Sequence, residues 1–94
     1  IKRVVGLPGE TITIKAGRGV YVNGHLLREP YISEDRVPQY DWGPKRIAKG
    51  QYLVLGDNRN NSNDSHHWGT LPRSRILGKA MATFWPPGRV GLVR

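Results

Sequence analysis

QYLVLGDNRNNSNDSHHWG, residues 51–69, joins two unlike kinds of sequence. Gln51 to Leu55 is a short apolar run that reads as a strand. Gly56 to Gly69 then holds fourteen residues without one aliphatic side chain. Such a run cannot supply a core. Its Asn, Asp and Ser side chains bond to nearby backbone and build turns. It is either a linker or a loop ordered by its own polar network. Strand-like sequence on both sides favours the ordered loop, where polar chemistry is usually held.

Working outward, Ile1 to Val5 is β-branched and strand-like, and Gly6-Leu7-Pro8-Gly9-Glu10 has the composition of a turn. Thr11 to Lys15 alternates as a half-buried strand does. Ala16-Gly17-Arg18-Gly19 is a hairpin loop across which Val20-Tyr21-Val22 pairs back. Asn23-Gly24 is the strongest short hairpin signal and leads into His25-Leu26-Leu27. From Arg28 to Arg46 the pattern breaks into a long Pro-rich excursion, whose aromatics Tyr31, Tyr40 and Trp42 are expected to lie against the sheet. Arg75 to Trp85 reads as a last strand, because Gly78 and the short length argue against a helix. The expected fold is mainly β, a single hairpin-rich domain over residues 1–94.

Ninety-four residues allow one small domain, and 37% hydrophobic content implies a thin core. Lys plus Arg number 15 against 7 acidic residues, a net +8 that suits nucleic acid, anionic lipid or plain solubility. The absence of cysteine excludes a disulfide scaffold, a Cys-ligated zinc site and a thiol nucleophile. No apolar run approaches the roughly 18 residues that would span a bilayer. The chain begins at Ile1 in what reads as mid-strand, so it is expected to be part of something longer. GLPGE lacks the Gly-Lys-Ser/Thr of a phosphate-binding loop. His66 and His67 are adjacent and would point to opposite sides of an extended backbone, so no metal or cofactor is expected.

Two segments together resemble the C-terminal motifs of type I signal peptidases, Ser–Lys endopeptidases that remove signal peptides at the outer face of a membrane. Lys2-Arg3-Val4-Val5-Gly6-Leu7-Pro8-Gly9-Glu10 is similar to the lysine-bearing box, with Glu10 where Asp is more usual. Gly56-Asp57-Asn58-Arg59, followed by Ser62, Asp64 and Ser65, is similar to the final box. His66 stands where an Arg is usual, and DSHHWG resembles the cyanobacterial and plastid-type members. That replacement implies an ion pair to Asp64 that is lost or becomes pH-dependent.

The resemblance implies antiparallel sheets of the signal-peptidase catalytic fold, incomplete because its N-terminal part is missing. It implies Lys2 as general base and Ser62 as the residue that orients the lysine amine. Arg3, Asp57, Arg59 and Asp64 would brace the site. A lysine at pKa 10.4 is neutral in about one molecule in 2,500 at pH 7, a deficit of roughly 4.6 kcal/mol. Burial against apolar surface lowers a lysine pKa by up to about 3–5, so Ile1, Val4 and Val5 are the neighbours such a base needs. Lys2 and Ser62 should therefore meet.

The family's nucleophilic serine box, upstream of the lysine, is not in these 94 residues, and neither is the transmembrane anchor. The implied partners are signal peptides of preproteins, a membrane lipid surface and the missing N-terminal segment with its serine. The implied location is membrane-anchored with the catalytic domain on the extracytoplasmic side. An apolar face left bare by the missing segment is also expected. A related Ser–Lys peptidase, of self-cleaving repressor or mitochondrial inner-membrane type, is a second reading, though the full GDNRNNSNDS loop argues against the repressor type. A basic β module binding single-stranded nucleic acid through Tyr21, Tyr31, Tyr40 or Trp42 is a third. The scatter of the basic residues speaks against it, and no specific nucleic acid is expected.

Overall fold

A computed structural model describes residues 2–78 and 83–84 of the chain. Two four-stranded sheets carry the fold. The first has the order β7-β6-β1-β8, with β1 Lys2–Gly6, β6 Gln51–Gly56, β7 Leu71–Pro72 and β8 Thr83–Phe84. The second has the order β4-β3-β2-β5, with β2 Thr11–Lys15, β3 Gly19–Val22, β4 His25–Leu26 and β5 Trp42–Arg46. All pairings are antiparallel except β1 with β8.

The turns form where their chemistry dictates. Leu7-Pro8-Gly9-Glu10 closes with Glu10 N donating to Leu7 O at 3.1 Å, and Gly9 at φ +86° takes a backbone that a side chain disfavours. Glu10 Oε1 accepts from Leu7 N at 2.7 Å, so the longer acid still caps its own turn. Asn23 and Gly24, at φ 51° and 84°, both adopt the left-handed geometry that a tight two-residue hairpin requires.

β1 and β6 form a ribbon buried on both faces, which is why Tyr52 to Leu55 is a continuous apolar run rather than an alternating one. Val5, Leu53 and Leu55 face the second sheet and pack with Ile12, Ile14, Val20 and Ile47. Val4, Tyr52 and Val54 face the other way, onto Leu71 and Ile76. Alternation along the ribbon thus sends consecutive residues into different cores.

Four expectations change. Arg75 to Trp85 is not one strand: Arg73–Gly78 is a helix, α2, and Thr83–Phe84 is the strand β8, the rest of the segment lying outside the described residues. The helix seats Ile76 in the second core. Nor is the excursion from Arg28 to Arg46 irregular throughout. Its end is β5, an edge strand beside β2, where Pro44 needs no ladder donor. His66 and His67 lie in a four-residue helix, α1 Ser65–Trp68, with ring centroids 3.9 Å apart instead of on opposite sides. Among the described residues the exposed large hydrophobics are Leu26 and Trp68, which leaves the expected broad apolar face unformed there.

Candidate functional site

Strand parity places the site. Lys2 pairs with Gly56 and Arg3 with Leu55, so Lys2 and Gly56 share one face of the ribbon while Arg3 and Asp57 share the other. Gly56 has no side chain, and Ser62 fills the space beside Lys2. A Cβ on Gly56 would sit 2.6 Å from Ser62 Cβ and overlap Ser62 Oγ. The result is that Lys2 Nζ donates to Ser62 Oγ at 3.1 Å, across 60 positions of sequence. Of the apolar neighbours expected for Lys2, Val4 shares its face; Val5 belongs to the other core, and Ile1 lies outside the described residues. Lys2, Arg36, Gly56, Asp57, Asn58 and Ser62 are among the residues that line an open cleft of about 490 Å³.

On the opposite face, Arg3 Nε donates to Asp57 Oδ1 at 2.7 Å. The Arg3 guanidinium also lies 3.7 Å over the Tyr31 ring. Arg59 is wholly buried. Its Nε donates to Gly56 O at 2.7 Å, and its two terminal nitrogens reach the two carboxylate oxygens of Glu29 at 2.8 and 2.6 Å. Burial works against the charge on Arg59, but the hydrogen bonds and charge of Glu29 outweigh it and raise its pKa. Tyr31 Oη donates to Glu29 Oε2 at 2.6 Å. Burial first, and then the Glu29 carboxylate, push the Tyr31 phenol above its ordinary value.

The final box also finishes the edge of β6. β7 pairs with β6 at Gln51 and Tyr52, so the outward donors further along need other partners. Val54 N donates to Ser65 Oγ and Gly56 N to Asp64 Oδ2, each at 2.8 Å. Asp64 is fully buried and also caps α1, accepting from His66 N at 3.1 Å. His66 Nδ1 contacts Asp64 Oδ1 in the place of the usual Arg, and its ring stacks on Tyr40 at 4.1 Å between centroids. Asn60 ties the loop to the excursion, accepting from Gln39 N at 2.7 Å and donating to Val37 O at 2.9 Å.

Every residue expected at the site is therefore drawn into one connected region. Sequence reasoning did not single out Glu29, and it named Tyr31 and Tyr40 only as aromatics against the sheet or stacking platforms, not as partners of this site. The signal for the first two was an acid and an aromatic flanking Pro30, too common a pattern to single out. Tyr31 under Arg3, Tyr40 against His66 and Trp42 on the first core also have partners that a nucleic-acid stacking platform would need free.

Comparison with known proteins addresses the family of the chain. The family model for signal peptidase, peptidase S26, matches residues 1–85. Probable signal peptidase I-2 of Synechocystis sp. is 54% identical over 93 residues, covering 99% of this chain and 41% of its own length. Signal peptidase I of Leptolyngbya laminosa is 54% identical over 91 residues, 97% of this chain and 43% of its own. Thylakoidal processing peptidase 1, chloroplastic, of Arabidopsis thaliana is 39% identical over 90 residues, 96% of this chain and 26% of its own. A crystal structure of a signal peptidase I from Enterococcus faecalis V583 matches with a TM-score of 0.63 at 31% identity, over 78% of this chain and 74% of that one. The chain thus spans less than half the length of these curated relatives. By its two boxes, its sheets and these matches, the chain belongs to the signal peptidase family, peptidase S26.

Proposed function

We propose that this chain is the lysine-bearing part of a signal peptidase that cleaves signal peptides from preproteins by Ser–Lys catalysis. The observation that carries this reading is the contact between Lys2 Nζ and Ser62 Oγ at the open cleft. A serine in the longer protein attacks the scissile carbonyl, and neutral Lys2 takes its proton. The proton passes to the leaving amine as the acyl-enzyme forms, and Lys2 then activates the water that hydrolyses the ester. Ser62 positions the amine by accepting its hydrogen bond. The whole enzyme is anchored to a membrane, with this domain on the extracytoplasmic side against lipid.

The test is cleavage of a preprotein by the full-length protein and by the 94-residue chain alone. The isolated chain is inactive. In the full-length protein Lys2→Ala abolishes cleavage, and Lys2→Arg does so as well, because a guanidinium stays protonated. Ser62→Ala weakens cleavage without eliminating it. Cleavage by the isolated chain that Ser62→Ala stops would make Ser62 the nucleophile and overturn this assignment.

A further inference from the structure

Taking Lys2 as the base, as proposed above, we infer that Glu29 and Tyr31 are positioning residues that hold the Lys2–Gly56 rung of the β1–β6 ladder and hence the Lys2–Ser62 contact. The contacts around that rung close into a ring. From the Gly56 carbonyl they run to Arg59 Nε at 2.7 Å, and from Arg59 to both oxygens of Glu29. They continue from Glu29 to the Tyr31 hydroxyl at 2.6 Å, then from the Tyr31 ring to the Arg3 guanidinium at 3.7 Å. Arg3 Nε to Asp57 at 2.7 Å returns the ring to the peptide that joins Asp57 to Gly56.

Lys2 and Gly56 pair one rung beyond Arg3 and Leu55, where β6 ends, and Lys2 also pairs with Thr83 of β8. The ring holds both strands there, gripping Arg3 next to Lys2 and Gly56 next to Asp57. Asp57 of the ring reaches the cleft, but neither Glu29 nor Tyr31 is among the residues lining it. Loss of the ring lets Lys2 shift against Ser62 while both cores stay packed. Misplacement of a reacting group by about 1 Å costs up to about a hundredfold in rate.

The experiment compares preprotein cleavage by full-length Glu29→Gln, Tyr31→Phe and Tyr31→Leu proteins, each assayed well below its melting temperature. Tyr31→Phe keeps the ring under Arg3 and loses only the hydroxyl; Tyr31→Leu loses both. Lower kcat with unchanged KM is expected, by about tenfold or more for Glu29→Gln and Tyr31→Leu and by less for Tyr31→Phe. Tyr31 is only partly buried, so its variants remain folded even where loss of Glu29 unsettles buried Arg59. Unchanged kcat in the folded Tyr31→Leu protein, a change confined to KM, or a lowered melting temperature alone would each overturn the positioning role. If Lys2→Ala in the same protein still cleaved, the Ser–Lys reading would fall first. An inactive Lys2→Ala beside fully active Tyr31→Leu and Glu29→Gln proteins would sink the positioning role alone.

Discussion

Gly56 is needed for what it lacks. It stands opposite Lys2 in the ladder, and the volume a side chain would take is filled by Ser62. Its carbonyl receives Arg59 and its amide donates to Asp64, so the residue cannot back away from an added methyl. Gly56→Ala is therefore expected to displace Ser62 from Lys2. A stability loss of about 1–3 kcal/mol from overpacking should appear in urea unfolding of the chain. Cleavage by the full-length variant should fall by more than about tenfold. Wild-type cleavage by that variant would mean that Ser62 need not stand beside Lys2.

Among the elements, the α1 segment acts as a substitute strand. β6 loses its β7 partner after Tyr52, and Asp64 and Ser65 take the amides of Gly56 and Val54 in its place. Asp64 also serves as the α1 cap and as the partner of His66. Asp64→Ala removes the cap and leaves a buried amide unsatisfied, a combined cost of about 2–4 kcal/mol. A lowered urea midpoint with an unchanged slope is the expected measurement, and a loss below about 0.5 kcal/mol would mean that the loop re-pairs these donors. Asn23-Gly24 and Leu7-to-Glu10 were legible from sequence because a turn's chemistry lies within its own four residues. The α2 helix was not. Six residues are too few to separate helical from strand periodicity, and the burial of Ile76 against Val4 and Val54 decided the matter.

At the scale of the whole molecule, two apolar cores share one ribbon, and the excursion from Arg28 closes over one end of it. Two phenols of that excursion give the fold a pH limit. Burial raises the pKa of Tyr31 above its ordinary 10.0, aided by Glu29, and burial does the same for Tyr40, aided by the Asp64 charge. The folded state thus favours neutral phenols. Below pH 10 both states hold the proton and this contribution is intact; above it the unfolded chain ionises first, so stability falls as pH rises. Denaturant midpoints above pH 10 should drop less steeply in Tyr31→Phe and Tyr40→Phe than in the parent chain. Equal slopes would show that neither phenol is held neutral by the fold. Tyr40→Phe should also cost little near neutral pH, since its buried hydroxyl has no hydrogen-bond partner among the described residues.

The sequence alone determined the hairpins, the mainly β architecture and the ordered polar loop, and its resemblance to the two signal-peptidase boxes pointed to Lys2, Arg3, Asp57, Arg59, Ser62 and Asp64 together. Turn residues and polar runs act locally, and two long boxes in order carry their own signature. Only the tertiary structure decided which face of the ribbon each box residue takes, and that Gly56 leaves room for Ser62. It alone brought Glu29 from 30 positions away onto Arg59. A buried guanidinium must find a carboxylate to offset its lost hydration. Which acid answers that demand depends on where the chain returns in space, and no local pattern around Glu29 encodes it.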